Sequence, residues 1–401
     1  MSRASLPLPL VLLFVFHAVA QSQEPPAVFL DYKELGARGL FETVEIRILA
    51  SGETTVKSKK YNSEAAEYQT TLSTQELETF RITTHAVGYF TATFEQGVPR
   101  MHAADIELLI RDGKHSKTHK GTWPDECEPL SILLYRLTAQ ARALLALKAD
   151  EDIYTIVGAV KHSHAGAKVL QPAKLREPLM EYIRTHQDRQ RVNWALQALA
   201  EVTSPDEFAG FVAIESRKRK AEDSLISMDS KGWIPDTHFL ALCPVYLAYI
   251  REHVYQYEKL TQPQRETFEK AEYGLRDARY APAAPLLIEV FRKLPDPKSN
   301  YLYVVLASLG QAGLQRIAPV MEEGNDAHRL AAIDVVEIMA QYHPKSGASN
   351  PVPEHEFASM RVIFDKYVLP ALRRMAEKDS SKTIREEALK TIGVIEVELA
   401  K

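Results

Sequence analysis

Chemistry in this chain would have to come from histidines, carboxylates, two cysteines and clustered aromatics, because the short signatures of catalysis are missing. No GxSxG nucleophile elbow, HExxH helix, GxGxxG turn or phosphate-cradling glycine loop occurs in the sequence. The densest titratable group is Asp150, Glu151 and Asp152 followed by His162 and His164. Such a mixture can hold a divalent metal or supply an acid and a base, which fits an exported hydrolase or metal-dependent enzyme with its site where two domains are expected to meet. His115 and His119 stand four apart, a spacing that joins side chains on a helix but not along the strand this segment predicts. No third ligand is spaced to complete a zinc site with any of these, so no metal and no cofactor is expected.

A second class of candidate is recognition. Phe239 to Ile250, FLALCPVYLAYI, carries no charge. It is shorter than the roughly 20 residues a bilayer span needs and has the length of a core helix. Trp233 stands just ahead of it, and Tyr246, Tyr249, Tyr255 and Tyr257 lie in or behind it. Tyr and Trp concentrate at interfaces because each joins a large apolar body to one polar edge. Trp233, Tyr246, Tyr249 and Tyr255 are therefore the candidate binding residues of an aromatic ligand groove, with core packing as the competing interpretation. Arg217-Lys218-Arg219-Lys220 sits beside Glu215, Glu222 and Asp223 and reads as a solvated helix face. The formal net charge of −4 also leaves no basic stripe for a nucleic acid.

Residues 1–20 combine Arg3, the apolar run Leu6 to Phe16 and the small-x-small triplet Ala18-Val19-Ala20, the pattern of a signal peptide cleaved before Gln21. The expectation is a secreted or periplasmic protein with no stable membrane insertion after cleavage. Cys127 and Cys243 are the only cysteines. They read as two free thiols, Cys243 being buried, with a single cross-link as the alternative.

The elements that must position these residues divide in two. Residues 21–40 read as a lead-in and 41–148 as an α+β domain. In the latter, Thr43 to Ala50 and Thr54 to Lys59 form a hairpin through Ser51-Gly52-Glu53. After the short strand Tyr68 to Leu72, Ser73 and Glu76 stand in capping-box spacing ahead of a helix that stops at Gly88. Tyr89 to Phe94 reads as a strand. A second hairpin turns at Asp112-Gly113, and a helix runs from Pro129 to about Leu147. Antiparallel strands with one apolar face and two helices to cover it predict an N-terminal antiparallel sheet with helices on one face. The Asp112-Gly113 hairpin and the Leu72-Ser73-Thr-Gln-Glu76-Leu77 helix start resemble those of small domains in uncharacterised secreted bacterial proteins, a resemblance that brings no activity with it.

Residues 149–174 form the predicted hinge and 175–401 a helical region with an internal repeat. Pro178-Leu-Met, Pro285-Leu-Leu, Pro319-Val-Met and Pro370-Ala-Leu each stand inside a helical pattern, and Pro244-Val-Tyr is a divergent copy. Each of the first four is followed by a second apolar phrase, beginning at Ala195, Val305, Ala332 and Ala388. Proline inside a helix removes a donor and bends the chain, so the first helix of each pair is expected to curve over the helix that follows. The unequal spacing of the copies implies a divergent pair around 206–280 and an insertion around Tyr342 to Glu356. With Arg191, Arg329 and Arg385 shortly before the second phrase, and Tyr301 in the comparable place of one unit, the region resembles HEAT-type repeats. The resemblance implies an all-α, HEAT-like solenoid whose surface binds a protein or peptide partner without catalysis.

Overall fold

A computed structural model of the chain describes residues 27–37, 42–59, 64–94, 105–149, 153–161, 169–220, 224–227, 232–298, 301–342, 344 and 351–401. The expected signal peptide, 1–20, lies outside the described residues. The fold is α+β, an antiparallel sheet followed by a mostly helical region. It divides into two compact units, Met1–Thr138 and Ala139–Lys401.

In the first unit, β1 (Val28–Ala37), β2 (Glu42–Leu49), β3 (Glu53–Lys59), β4 (Ala66–Thr71), β5 (Asp105–Asp112) and β6 (His115–Gly121) form one sheet in the order β4-β3-β2-β1-β5-β6, every pairing antiparallel. The two expected hairpins are present as β2-β3 and β5-β6. β1 is a correction: the segment read as a lead-in is the central strand. It pairs with β2, the next strand in sequence, on one side and with β5, remote in sequence, on the other. Leu30 and Tyr32 point to the core while Asp31 and Lys33 do not, the period of two that a half-buried strand requires.

That period sorts the whole sheet into a dry face and a charged one. Val44, Ile46 and Ile48 of β2, Val56 of β3, and Ile106, Leu108 and Ile110 of β5 are buried. On the other face the register sets Glu67, Lys57, Glu45, Lys33, Glu107 and Lys120 side by side across all six strands, with the sign of charge alternating at every step. Lys33 meets Glu45 at 2.8 Å, Lys57 meets Glu67 at 3.2 Å and Lys120 meets Glu107 at 2.8 Å.

The helix α1 (Thr74–Ala86) starts at the capping box read from the sequence: Ser73 N donates to Glu76 at 2.7 Å and Glu76 N to the Ser73 hydroxyl at 3.2 Å. Gly88, in the left-handed conformation at φ 66°, ends it, with Gly88 N bonded to His85 O and Tyr89 N to Thr84 O. The strand expected at Tyr89 to Phe94 is instead a turn. Tyr89 is held under the sheet by its hydroxyl, which donates to Leu108 O at 2.7 Å, so this backbone closes on itself and joins no ladder. The next helix is α2 (Glu128–Ala149), and the division between units falls inside it, ahead of the expected hinge. By length and composition the stretch Asp125–Lys148 could cross a membrane, but Leu130, Leu134, Leu137, Ala141 and Ala143 on it are buried in the fold.

The second unit contains α3 (Tyr154–Val160), α4 (Arg176–Thr185), α5 (Arg189–Ala200), α6 (Pro205–Lys218), α7 (Asp236–His253), α8 (Gln262–Ala278), α9 (Ala284–Lys293), α10 (Leu302–Ser308), α11 (Gln311–Ile317), α12 (Asp326–Gln341), α13 (Glu354–Ile363), α14 (Leu369–Lys378) and α15 (Lys382–Leu399). From α8 onward they stack in two rows: α8, α10, α12 and α15 pack in succession, and α9, α11 and α13 do so alongside. Small residues permit the close approach, as with Ala331 and Ala332 of α12, both fully buried.

The repeated prolines mark changes of helical pitch rather than bends in uniform α-helix. Tight 3-10 turns, Pro172–Leu175 and Ala281–Ala283, precede the helices that hold Pro178 and Pro285, and Pro319 lies inside another, Ala318–Met321. A π-turn, Phe364–Val368, comes just before Pro370. A proline in a first turn has no intrahelical bond to lose, and a wider or tighter turn ahead of it takes up the ring. Pro244 alone stands in the interior of a helix, on the exposed side of α7. The recurring arginines serve the stack: Arg329 of α12 pairs with the Asp379 carboxylate while Arg385 of α15 donates to Asp379 O at 2.6 Å.

Candidate functional site

The four aromatic residues singled out from the sequence do not converge. Tyr246 is 2% exposed and packs against Gly274 of α8, where a Cβ would collide with its ring. Tyr249 is half-buried, its ring stacked on His253 at 4.1 Å. Trp233 and Tyr255 are 48% and 52% exposed, but one precedes α7 and the other follows it. A helix of that length is roughly 27 Å long at 1.5 Å per residue. Tyr246 belongs to the core.

The arrangement best suited to recognition lies one helix further on, where α8, α10 and α12 meet. Tyr273 and Tyr301 approach edge to face at 5.5 Å, Tyr303 continues the cluster 6.4 Å from Tyr301, and the Arg276 guanidinium sits 4.9 Å over the Tyr273 ring. Asp277 fixes that guanidinium with a 2.8 Å ion pair. Burial opposes the charge on Arg276, but Asp277 and Tyr301 outweigh it and hold its pKa above the usual arginine value. Tyr273 is exposed and Arg276, Tyr301, Tyr303 and Tyr342 are half-buried, so ring faces, hydroxyls and a pre-oriented guanidinium are presented together. Helical spacing supplied one clue, Tyr273 and Arg276 one turn apart. Tyr301 stands out in the sequence only as a departure from a repeat pattern.

Beneath this patch Glu272 of α8 is fully buried, and neither carboxyl oxygen makes a hydrogen bond. Burial, and next the charge of Glu269 one turn earlier, push its pKa up to about 9. It is accordingly a neutral acid at pH 7.

Among the described residues, several other titratable groups have partners of their own. His85 meets Asp112 at 2.9 Å, and Arg81 approaches the same carboxylate at 3.6 Å. His119 bonds Thr122 O at 2.8 Å, and His115 packs on Phe90, so the two histidines four apart have separate partners. Among the described residues no group of three or more His, Cys, Asp and Glu could hold a metal ion. Asp150, Glu151, Asp152, His162 and His164 lie outside the described residues. Cys127 and Cys243 are free and buried, and burial raises their thiols to about 11 and about 12. In the basic run, Lys218 pairs with Glu215 at 2.8 Å and Arg219 donates to the carbonyls of Ile183 and His186 at the end of α4. A cleft of about 410 Å³ near the other row is lined by Arg279, Gln311, Gln315 and Glu356.

No protein-family model matches the chain, and a search of curated proteins finds no match either.

Proposed function

We propose that this chain is an exported, non-enzymatic interaction protein in which a HEAT-like helical-repeat array binds a protein or peptide partner. The observation carrying the reading is the Tyr273, Arg276 and Tyr301 cluster on a row of successively stacked helices. Stacked pairs generate extended surfaces, and Tyr and Arg dominate the energetics of protein interfaces. The convergence of Arg329 and Arg385 on Asp379 supports the repeat reading, since one recurrent residue then ties neighbouring units. The sheet unit is a second module of the same protein.

A photo-reactive residue placed at Tyr273, with one at Tyr367 as the control, tests this in the envelope and medium of the producing cell. The expected result is a discrete covalent adduct with a protein or peptide from Tyr273 only, weakened by Arg276→Ala in a chain that still folds. No adduct, or equal labelling from both positions, refutes the reading.

A further inference from the structure

The cleft beside α11 has a volume of about 410 Å³, within the roughly 300–1,000 Å³ of sites that hold small ligands. One wall is the ion pair of Arg279 and Glu356, which meet at 2.9 Å and cancel each other's charge. That wall is fixed in place. Gly310, at φ 58°, leaves no room for a Cβ, which would strike Glu356 Oε1 and the Arg279 guanidinium. Leu309 and Ala312 supply an apolar part of the lining, and Gln311 and Gln315 of α11 complete it. The Gln311 backbone N–H is engaged by Glu356 at 3.3 Å. The two side-chain carboxamides, by contrast, make no hydrogen bond among the described residues, so their bonding capacity is turned to the cleft and to solvent.

These features select the chemistry of the ligand. A cleft whose one cation and one anion are already paired offers no net charge to attract a phosphate or a metal ion. Free carboxamides suit amides instead. Each has donors and an acceptor, so one glutamine can bond both the N–H and the C=O of a single residue. Gln311 and Gln315 stand four residues apart on one helix, about 6 Å along its axis at 1.5 Å per residue. Residues that turn their backbone groups to the same edge of an extended chain repeat at about 6.6 Å. The two spacings match, so the pair can take alternate residues of one extended peptide, leaving Leu309 and Ala312 to receive an apolar side chain. Main-chain bonds of this kind give affinity with little demand on ligand sequence, and the walls beside them add the selectivity.

We infer that this cleft binds an extended peptide segment of another protein through Gln311 and Gln315, with the Arg279–Glu356 pair as its fixed wall. The site shares no residue with the Tyr273, Arg276 and Tyr301 cluster, so either can fail without the other. The probe is an array of short random-sequence peptides, acetylated and amidated at their ends and presented to the full chain. The strongest binder is then titrated by fluorescence polarisation, with circular dichroism confirming the fold of each variant. Gln311→Ala and Gln315→Ala should each raise Kd about tenfold. Methylating the peptide's backbone nitrogens at alternate residues should abolish binding in one phase and spare it in the other, because only alternate N–H groups of an extended chain share an edge. An array on which no peptide is retained, a Kd indifferent to both glutamine variants, or equal loss from methylation in both phases overturns the inference. A binder weakened by Arg276→Ala and untouched by the glutamine variants belongs to the aromatic cluster and overturns it as well.

Discussion

Arg279 and Glu356 meet at 2.9 Å, and their contact ties together parts of the helical unit far apart in sequence. Arg279 Nε also donates to Ser308 O at 3.2 Å, and the second carboxylate oxygen of Glu356 accepts from Gln311 N at 3.3 Å. Arg279 ends α8 in the left-handed conformation at φ 49°, the one non-glycine residue with positive φ among the described residues. Local strain there is offset by the links its side chain makes.

Glu356→Ala removes the anion and strands both a largely buried guanidinium and a backbone donor. The expected loss is about 2 kcal/mol in denaturant unfolding, with an unchanged m value. Arg279→Gly relieves the backbone while losing the links, so it should cost less than Glu356→Ala. The reverse order would show that backbone strain is not a factor at this corner.

Glu272 predicts a pH dependence of stability. Its folded pKa of about 9 stands above the ordinary 4.5, so between these values the folded state keeps a proton that the unfolded chain has released. The contribution is fully present below pH 4.5 and is lost as pH rises toward 9, with a limiting slope of about 1.4 kcal/mol per pH unit. The charge of Glu269 acts on the group and enters the same profile. Glu272→Gln should therefore gain on the native protein between pH 5 and pH 9 in thermal melts, and parallel profiles for the two proteins would disprove the assignment.

Gly274 and Tyr246 should behave as one packing unit. Gly274→Ala would raise helix propensity by about 1 kcal/mol on an exposed face. Here the new Cβ meets the Tyr246 ring, and the expected outcome is a net loss of about 1–3 kcal/mol. In a double-mutant cycle Tyr246→Leu should recover part of that loss, and strict additivity would indicate that the ring does not occupy this space.

Lys33 stands between Glu45 and Glu107 in the charged row of the sheet. Lys33→Glu sets three carboxylates abreast and should lower the melting temperature more than Lys33→Gln does. The difference between the two variants should shrink in high salt, because these side chains are exposed and screened. A difference unaffected by salt would point to packing instead.

Local chemistry made much of the sheet unit legible. The β2-β3 and β5-β6 hairpins follow from alternation closed by Ser51-Gly52 and Asp112-Gly113, and α1 follows from Ser73 and Glu76, because each signal spans only a few residues. The Tyr89 turn is not legible locally because the carbonyl that holds it, Leu108 O, is remote in sequence, and the central place of β1 depends on β5, which is equally remote. The aromatic site divides along the same line. Trp233, Tyr246, Tyr249 and Tyr255 are neighbours in sequence, and a long helix keeps them apart, whereas Tyr273 and Tyr301 come together through the packing of α8 on α10.

The sequence by itself determined the α+β class, the predominance of helix after residue 175, and the charges and apolar residues each face would carry. Those properties depend on periodicity, capping and turn chemistry within one element. The tertiary structure alone decided that Lys33 lies between two carboxylates, that Tyr246 is core, that Glu272 is buried without a hydrogen bond, and that Gln311 and Gln315 face one cleft. Burial and electrostatic environment depend on what packs against a residue, and in each of these cases the deciding neighbour, or its absence, is set by an element elsewhere in the chain.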